Sequence, residues 1–375
     1  MTEHGPSLED VLKRHKAFWN CSDVDRPLLG VAPYAPWAPP PPYRLRDGSV
    51  ASDGMKIEPG MVDLKAQTEA SKLQQQKQSP RILSMMLDLV QALTDGRDLS
   101  MVDGDYVLCW GPHNFPWMEA ILGCPVFHEN GTCWAKALEK DWKVLRDSGG
   151  WRESPWIGEM LEVERLLFEI TKGRIGVGQP LFRGPFDMAT TAVGASEFCT
   201  LVMVQLQEAC DLMSYCTDLY IDVAKQYVQQ APVFHDGYFC YAPWSLWAPG
   251  TTVRYQSDNS YLVSPDMYRE HFMRFDREIA RSFEYSAMAT HTNQADHLPV
   301  YAEIPELRMI EITFEAPPFG RPPLDLLPQF KEVQAKGKAL LLTGSLTQKE
   351  LDGLIEELSP KGLGLWVSIR EEEQE

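Results

Sequence analysis

The chain has 375 residues, of which 44% are hydrophobic, 10% are aromatic and 23% are charged. Such a composition can bury a large core, and it excludes wholesale disorder, collagen-like order and a coiled coil. The formal net charge of −18 is spread along the chain, so nucleic acid and anionic membrane surfaces are poor partners. The two longest uncharged stretches, 27–43 and 237–253, are broken by Pro and Gly and predict no transmembrane segment.

The N-terminal residues and the cysteines predict a cytoplasmic protein. Residues 1–10 lack the apolar core of a signal peptide, and residues 7–18 are too acidic for a transit peptide. The eight cysteines form no CxxC pair, and most have apolar neighbours in the sequence. We therefore expect reduced thiols in the protein core.

In chain order, apolar periodicity predicts strands that alternate with helices, which is typical of a parallel α/β fold. The predicted strands are 28–32, 100–109, 174–178, 233–239, 286–291, 309–313, 338–343 and 363–368. The predicted helices are 8–19, with Ser7 and Asp10 as a capping-box pattern, and 80–93, 153–171, 210–230, 265–284, 324–336 and 346–358. This alternation predicts a single (β/α)8 TIM barrel domain over residues 1–375. A doubly wound open sheet is the alternative, although the chain has no GxGxxG motif.

Two loops and the C-terminal tail depart from ordinary barrel connections. Residues 33–43 contain four consecutive prolines and predict a stiff polyproline II segment directly after the first strand. In a barrel this position lies at the C-terminal face, so the segment is either a wall of the active site or a rigid surface spacer. Residues 234–250 form a long aromatic loop, and a short acidic tail, 371–375, ends the chain.

Ionisable and amide side chains lie near the carboxyl ends of several predicted strands. They are His235 and Asp236, Gln256 with Asp258 and Asn259, His291 with Asn293, and Glu311 with Glu315. Because strand ends converge on the active-site pocket of a barrel, we expect these side chains to line one cavity. An Asp and a His there supply an acceptor for positive charge and a proton donor that titrates near neutral pH. For each residue alone, the alternative is a hydrogen-bonded structural His or a helix N-cap.

Aromatic residues and metal ligands are further uses of the same region. Four aromatic residues either wall a planar or cationic ligand or pack in the core: Tyr238, Tyr241, Trp244 and Trp247. A zinc or iron site would draw on His235, Asp236, His291, Asn293, His297 and Glu311. Their spacing matches neither HExxH nor a CxxC set, so we expect no metal.

Three stretches of the C-terminal half carry a family resemblance. They are YQSDNSYLVSPDMYREHFMRFDREI (255–279), THTN (290–293) and IPELRMIEITFEAPPFGRPPLDLLPQFKEVQAKGKALLL (304–342). Together they resemble the uroporphyrinogen decarboxylase superfamily, especially its uncharacterised branch related to corrinoid methyltransferases. In that pattern an Asp, here Asp258, and an SPEMFREF-like run precede a strand-end His, here His291. Residues 111–134 and 180–194 also resemble that branch, so the resemblance covers most of residues 100–368 and implies a (β/α)8 barrel.

Departures from the superfamily patterns limit what the resemblance implies about activity. Uroporphyrinogen decarboxylases have an arginine-rich N-terminal motif for the substrate's propionates, whereas this chain has no Arg between Arg26 and Arg44. The zinc methyltransferases have an H-x-C pair and a later Cys, whereas this chain has His291, Asn293 and the run TGSLTQ (343–348). The branch itself usually has HLDG where this chain has HTNQ. These departures argue against uroporphyrinogen as substrate and against a zinc-activated thiol.

The resemblance and the strand-end residues together predict a metal-independent enzyme with decarboxylase-type lyase chemistry on a small organic molecule. Asp258 is expected to stabilise a cationic or protonated intermediate, and His291 to deliver or remove a proton. The expected substrate-binding residues are His113, Arg183, Asp187, His235, Asp236, Trp244, Trp247, Gln256, Asn293 and Glu311. No cofactor is expected in this hypothesis.

Two alternatives assign the barrel another role. The first is methyl transfer to or from a corrinoid or a thiol, with zinc or a corrinoid as cofactor and a corrinoid protein as partner. If a metal is present in that case, His291 and Glu311 are its expected ligands. The second alternative is a non-catalytic protein that holds a small ligand with the loop 234–250. A homodimer is compatible with all three hypotheses.

Overall fold

The computed structural model describes residues 6–33, 43–68, 102–107, 109–112, 114–171, 175–315 and 319–371. Most of the proline-rich segment 33–43, the predicted helix 80–93, His113 and most of the acidic tail lie outside the described residues.

The described part of the chain contains fifteen strands. They are β1 (Leu28–Pro33), β2 (Lys56–Ile57), β3 (Val102–Asp103), β4 (Tyr106–Val107), β5 (Cys109–Trp110), β6 (Val126–Glu129), β7 (Thr132–Ala135), β8 (Gly176–Val177), β9 (Tyr238–Tyr241), β10 (Leu246–Ala248), β11 (Thr252–Gln256), β12 (Tyr285–His291), β13 (Met309–Phe314), β14 (Ala339–Leu346) and β15 (Leu363–Ile369).

The described helices are α1 (Leu8–Trp19), α2 (Trp117–Leu122), α3 (Trp142–Asp147), α4 (Pro155–Thr171), α5 (Pro185–Val193), α6 (Ala195–Val204), α7 (Leu206–Gln230), α8 (Pro265–Met267), α9 (Met273–Ala280), α10 (Leu298–Tyr301), α11 (Leu327–Ala335) and α12 (Gln348–Glu357). A π-helical turn, Tyr268–Phe272, joins α8 to α9.

A six-stranded parallel sheet forms the centre of the fold, in the order β1-β15-β14-β13-β12-β11. The predicted strands 28–32, 286–291, 309–313, 338–343 and 363–368 are confirmed as β1 and β12 to β15, with small shifts at their ends. Their near-continuous apolar runs suit strands buried on both faces, as a parallel sheet requires. The expected mixed α/β class is therefore confirmed.

The closed barrel is not confirmed. Strands β5 and β8 form a separate parallel pair, and single parallel bridges at Gly178–Phe239 and Arg183–Gln256 link this part of the chain to β9 and β11. Within the described ranges no ladder joins β1 to β5, which is the pairing that would close the sheet. What is established is the six-stranded parallel sheet and these connections at its β11 edge.

The predicted fourth strand, 233–239, is wrong except for its last two residues, which begin β9. His235 and Asp236 have φ values of 48° and 61°, and Phe234 pairs with Gly237 across them, so these residues form a tight turn. The chain then runs through β9 and back through β10 as an antiparallel pair. The next parallel strand of the central sheet is β11, which the sequence analysis did not predict, because Arg254 and Gln256 interrupt its apolar pattern.

The predicted strand 100–109 is also wrong in part. Its described residues form an antiparallel hairpin, β3 to β4, followed by the short β5. Gly104 makes the turn with a φ of 59°, and a Cβ there would lie 2.9 Å from the carbonyl oxygen of Leu29. A positive φ with so close a backbone neighbour favours glycine, and the turn ends the run that resembled one long strand.

Most predicted helices are confirmed, and several were missed. The predictions 8–19, 153–171, 210–230, 324–336 and 346–358 correspond to α1, α4, α7, α11 and α12, while 265–284 is divided into α8, the π-helical turn and α9. The missed helices are α2, α3, α5, α6 and α10. Six of the eight cysteines are buried, in agreement with the expected core thiols. No helix among the described residues is both long enough and apolar enough to cross a membrane.

Alternate residues of β11 lie on opposite sides of the sheet, and this alternation separates the core from the polar side. Val253 and Tyr255 are buried, and the Tyr255 ring contacts Tyr220 of α7 with 5.8 Å between ring centroids. Arg254 and Gln256 lie on the other side and have polar partners from β12 and β13. The sheet therefore uses one side of β11 for packing against helices and the other for a polar cluster.

Two buried carboxyl groups predict a pH-dependent stability. Burial raises the pKa of Glu164 on α4 to about 8 and that of Asp276 on α9 to about 7. In the unfolded chain both groups lose their protons near pH 4, so between about pH 5 and 7 the folded state binds more protons. We therefore expect the free energy of unfolding to fall as pH rises, by up to about 1.4 kcal/mol per pH unit for each group.

Urea denaturation of the wild type and Glu164→Gln between pH 5 and pH 8 checks this expectation. The variant should show a shallower fall of unfolding free energy with pH. Glu162→Gln on the same helix is the control, because the Arg165 hydrogen bond lowers the pKa of Glu162 and moves its effect below this pH range. An unchanged slope in Glu164→Gln contradicts the prediction.

Candidate functional site at the carboxyl ends of the sheet

His291 is the last residue of β12, and its ring is held from one side by Glu315, which follows β13. The Nδ1 atom lies 2.5 Å from Oε1 of Glu315, and the hydroxyl of Thr292 donates to Oε2 at 2.5 Å. Because neighbouring parallel strands end at the same edge of the sheet, the carboxylate after β13 reaches the imidazole at the end of β12. Glu315 therefore fixes the orientation of the ring and assigns Nδ1 as the hydrogen-bonded nitrogen.

Asp258 and Gln256 face the other nitrogen of the ring. The Oδ1 atom of Asp258 lies 3.6 Å from His291 Nε2, and Gln256 Nε2 lies 3.4 Å from the same nitrogen. The Gln256 amide also donates to Oδ2 of Asp258. In the sheet register Gln256 pairs with Ala289, so the residues two positions further along the chain, Asp258 and His291, come into proximity. The ring thus lies between two carboxyl groups.

Gln294 holds the Asp258 turn against the end of β12. Its Nε2 donates to the carbonyl oxygens of Ser257 and Asp258 at 2.5 and 2.6 Å, and its Oε1 accepts the His291 backbone N–H at 3.0 Å. The side chain is fully buried. A buried amide with its donors and acceptor engaged fixes two backbone segments in one arrangement. Gln294 is therefore the positioning residue for both Asp258 and His291.

Asp187 supports the same turn from α5. Its Oδ1 accepts the backbone N–H of Asn259 at 2.8 Å, and its Oδ2 accepts that of Asp258 at 3.2 Å. The neighbouring Arg183 contacts Glu119 of α2, with 3.3 Å between Nη1 and Oε1. Arg183 is partly exposed, whereas Asp187 and Glu119 are buried. Asp187 therefore positions the turn through hydrogen bonds to its backbone, whereas the partly exposed Arg183 can contact a bound ligand.

A buried ion pair lies on the same side of the sheet. Arg254 donates to Glu311 from Nε at 3.0 Å and from Nη2 at 2.7 Å, and Trp244 donates its indole N–H to Glu311 at 2.8 Å. The guanidinium of Arg254 also stacks over the Tyr241 ring at 4.1 Å from its centroid. Both partners of the ion pair are almost completely buried. Such a pair is stable only because its hydrogen bonds replace those lost to water.

The environment shifts the pKa values of the central groups in different directions. Burial raises the pKa of Asp258, although His291, Arg183 and Arg254 oppose the shift. Burial also raises the pKa of Asp187, and the nearby charge of Asp258 adds to it. Burial alone would lower the pKa of His291, but Glu315 and Asp258 outweigh it, so that the pKa of His291 is raised. For Glu315 burial is outweighed by hydrogen bonds from His291 and Thr292, which lower its pKa. The cluster therefore retains protons on Asp258, Asp187 and His291 at higher pH than isolated groups would.

The structure brings together most of the predicted site residues. Those close to one another on the polar side of the sheet are Arg183, Asp187, Trp244, Gln256, Asp258, Asn259, His291, Glu311 and Glu315. Their roles stay predictions, but their proximity agrees with convergence of strand ends on one side of a parallel sheet. His113 lies outside the described residues.

Other predicted residues do not join this cluster. His235 and Asp236 are exposed in the turn before β9, and the Asn293 side chain is exposed. Trp247 is buried in a core contact, where its backbone carbonyl accepts the indole N–H of Trp19 at 2.9 Å. His297 is also buried, with its Nε2 2.9 Å from the carbonyl oxygen of Val263. As placed, these five residues are structural or solvent-facing.

The residues that sequence reasoning missed are Glu119, Arg254 and Gln294. Arg254 had a usable signal, since it lies two positions before Gln256 and therefore on the same side of a strand. Gln294 had no such signal, because the sequence HTNQ does not show whether the Asn293 or the Gln294 side chain points into the protein. Glu119 is buried on a helix that was not predicted.

The described ranges contain no group of three or more His, Cys, Asp or Glu side chains arranged to hold a metal ion. The donor set near His291 has carboxylates and amides but no thiolate, and Glu315 already occupies Nδ1. These residues do not fit the thiolate zinc centre of the methyltransferase alternative.

The fold and the polar cluster define an α/β protein with ionisable groups at the carboxyl ends of a parallel sheet. No protein-family model matches the chain, and no curated protein sequence is significantly similar to it. Among solved structures, a methyltransferase from Methanosarcina mazei has a similar fold, with a TM-score of 0.55 and 13% sequence identity. The match covers 96% of this chain and 93% of that one. At this identity the similarity establishes a related fold alone.

Proposed function

We propose that the protein is an enzyme that performs acid–base chemistry of the decarboxylase type on a small organic molecule. The observation that carries the proposal is the position of the His291 ring between two carboxyl groups, Glu315 at 2.5 Å from Nδ1 and Asp258 at 3.6 Å from Nε2. Since Glu315 occupies Nδ1, Nε2 is the atom that exchanges a proton with the substrate. Asp258 faces the same atom and balances the positive charge that forms when the ring or the substrate is protonated.

In such a reaction the bond between a substrate carbon and its carboxylate breaks, carbon dioxide leaves and the electron pair remains on carbon. A proton from His291 Nε2 then replaces the carboxylate. Arg183 supports this assignment because it is partly exposed beside Gln256 and is a suitable partner for a carboxylate. Gln256 orients the substrate next to the ring. No metal or other cofactor takes part in the steps proposed here.

We also propose that the sheet belongs to a closed (β/α)8 barrel of the uroporphyrinogen decarboxylase superfamily. Support comes from the β5–β8 pair, from the bridges that continue the sheet beyond β11, and from the fold similarity over nearly the whole chain. A cytoplasmic location fits the mostly buried cysteines. A homodimer is proposed on the behaviour of the superfamily alone.

Methyl transfer is the second candidate, and the observation in its favour is the fold similarity to the Methanosarcina mazei methyltransferase. In this case a corrinoid protein would be the partner. The residues near His291 do not supply a zinc–thiolate centre.

A screen of small carboxylates for release of carbon dioxide tests the proposed function, together with elemental analysis of unchelated protein. We expect at least one carboxylate to be turned over, and His291→Gln to lower that rate by about 10²- to 10⁴-fold, the usual contribution of a general acid or base. A His291→Gln variant with wild-type turnover contradicts the role of His291. About one zinc per chain, with methyl transfer from methylcobalamin to a thiol, would support the second candidate instead.

A further inference from the structure

Three buried polar atoms on the polar side of β11 and in the turn after it have no hydrogen-bond partner among the described residues. They are Nη1 of Arg254, Oε1 of Gln256 and Oδ1 of Asp258. Each such atom costs free energy when it is taken out of water without a new partner, so a group of them in one place is unfavourable unless a ligand supplies the missing bonds. The three residues are spaced two apart along the chain, and Arg254 and Gln256 share one side of β11.

Arg254 leaves one donor for a ligand. Its side chain is only 5% exposed, and Nε and Nη2 are both taken by Glu311. The remaining Nη1 therefore needs a hydrogen-bond acceptor, and an oxygen of a ligand carboxylate or carbonyl group is a suitable acceptor.

Gln256 and Asp258 leave two acceptors for a ligand. The Gln256 amide nitrogen is committed to Asp258 and lies 3.4 Å from His291, so only its oxygen is unpaired. On Asp258, Oδ2 accepts from Gln256, while Oδ1 is 3.6 Å from His291 Nε2, which is beyond hydrogen-bond distance. Two neighbouring oxygens without donors call for an N–H group of the ligand.

The charges of the site favour a protonated amine as that N–H group. Three carboxylates have a cation of their own, in the pairs Glu119–Arg183, Glu311–Arg254 and Glu315–His291. Asp187 and Asp258 have no arginine of the described cluster at ion-pair distance, and Asp258 faces only His291 Nε2, at 3.6 Å. Burial raises the pKa of Asp258, and an ammonium group beside it would favour its charged form.

We propose that the substrate of this site is a small aminocarboxylate, whose ammonium group binds between Gln256 Oε1 and Asp258 Oδ1 and whose carboxylate binds Arg254 Nη1. The inference rests on the proposed function, since it names the substrate class of the same site. The carboxylate on Arg254 anchors the substrate, and the carboxyl group that leaves is a second one, which Arg183 faces beside His291. Along a strand, residues two apart are separated by roughly 6–7 Å. A ligand with three or four carbons between its charged groups matches that spacing.

Calorimetric titration of the full chain with 4-aminobutyrate, butyrate and butylamine tests the inference without requiring turnover. We expect 4-aminobutyrate to bind at least tenfold more tightly than either single-ended compound. Equal binding of butyrate refutes the amine contact, equal binding of butylamine refutes the Arg254 contact, and no detectable binding of 4-aminobutyrate refutes the whole assignment.

Substitutions then assign the contacts. Gln256→Leu removes both the acceptor and the donor of that side chain without adding a charge, and Arg254→Lys keeps the positive charge while removing the fork of Nη atoms. Each is expected to weaken binding of 4-aminobutyrate at least tenfold. Asp266→Asn is the control, because Asp266 is exposed on α8 and its substitution should leave binding unchanged. If Arg254→Lys fails to fold, Gln256→Leu and the probe comparison still decide the outcome.

The outcomes separate this inference from the proposed function. Carbon dioxide release from another class of carboxylate, lost in His291→Gln, with no binding of 4-aminobutyrate would leave the function standing and overturn the inference. Binding of 4-aminobutyrate that depends on Gln256, with unchanged turnover in His291→Gln, would do the reverse.

Discussion

Asp258→Asn is expected to lower the turnover number by about 10²- to 10⁴-fold, the range lost when a positioned acid or base is removed. Asparagine is nearly isosteric and keeps an oxygen for the Gln256 amide, but it neither ionises nor carries a proton to give. The backbone contacts of residue 258 with Asp187 and Gln294 do not involve the replaced carboxyl group. The melting temperature should therefore change little, and parallel rate and thermal denaturation measurements check both parts.

The pH dependence of the rate separates a chemical role of Asp258 from a merely steric one. Burial raises the pKa of Asp258, so its proton is held to higher pH than that of an ordinary aspartate. In the proposed role Asp258 acts as the charged carboxylate, so the rate of the wild type rises as pH rises through that pKa. This limb should be absent from Asp258→Asn, while the limb due to His291 remains.

The exposed Asp266, which pairs with Arg269 on the surface, provides the matched control for Asp258. Asp266→Asn should leave the rate, the pH profile and the melting temperature unchanged. Loss of folding in Asp258→Asn would make Asp258 a structural residue, and a wild-type rate in that variant would remove it from the chemistry.

Five strands of the central sheet could be predicted from apolar runs, because strands buried on both faces of a parallel sheet contain few polar residues. The apolar pattern did not predict β11, because Arg254 and Gln256 lie on the polar side of this strand and interrupt its apolar run. The polar residues of the candidate site are therefore the reason that the strand was missed. The apolar pattern failed differently at 233–239, where His235 and Asp236 form a tight turn that this pattern obscured.

The Asp258 and His291 pair could be anticipated from polar residues near strand ends, together with the family resemblance. Its detailed geometry could not, since it depends on the register between β11 and β12 and on the inward turn of Gln294. The contact between Glu315 and the His291 ring likewise depends on β13 lying next to β12. Such pairings between distant segments follow from sheet order, and local sequence carries no direct signal for them.

Glu311→Gln is expected to lower the free energy of unfolding by about 3–5 kcal/mol, the usual cost of leaving one member of a buried ion pair without its partner. Arg254 would keep its charge in an almost completely buried position, and the loss of the carboxylate would remove the charged acceptor of two guanidinium bonds and of the Trp244 indole. Urea denaturation at neutral pH measures the change. Removal of the exposed ion pair between Arg277 and Glu306 is the comparison, with an expected change below about 1 kcal/mol.

The double variant Arg254→Met with Glu311→Leu distinguishes stability from function for this ion pair. Replacing both charges by apolar side chains of similar size removes the unpaired charge, so the unfolding free energy should return close to that of the wild type. If Arg254 also serves as the anchor for a substrate carboxylate, the double variant will fold but will not bind 4-aminobutyrate. A double variant that is as unstable as Glu311→Gln contradicts the ion-pair account, because the deficit would then come from packing around Trp244 and Tyr241 and not from an uncompensated charge.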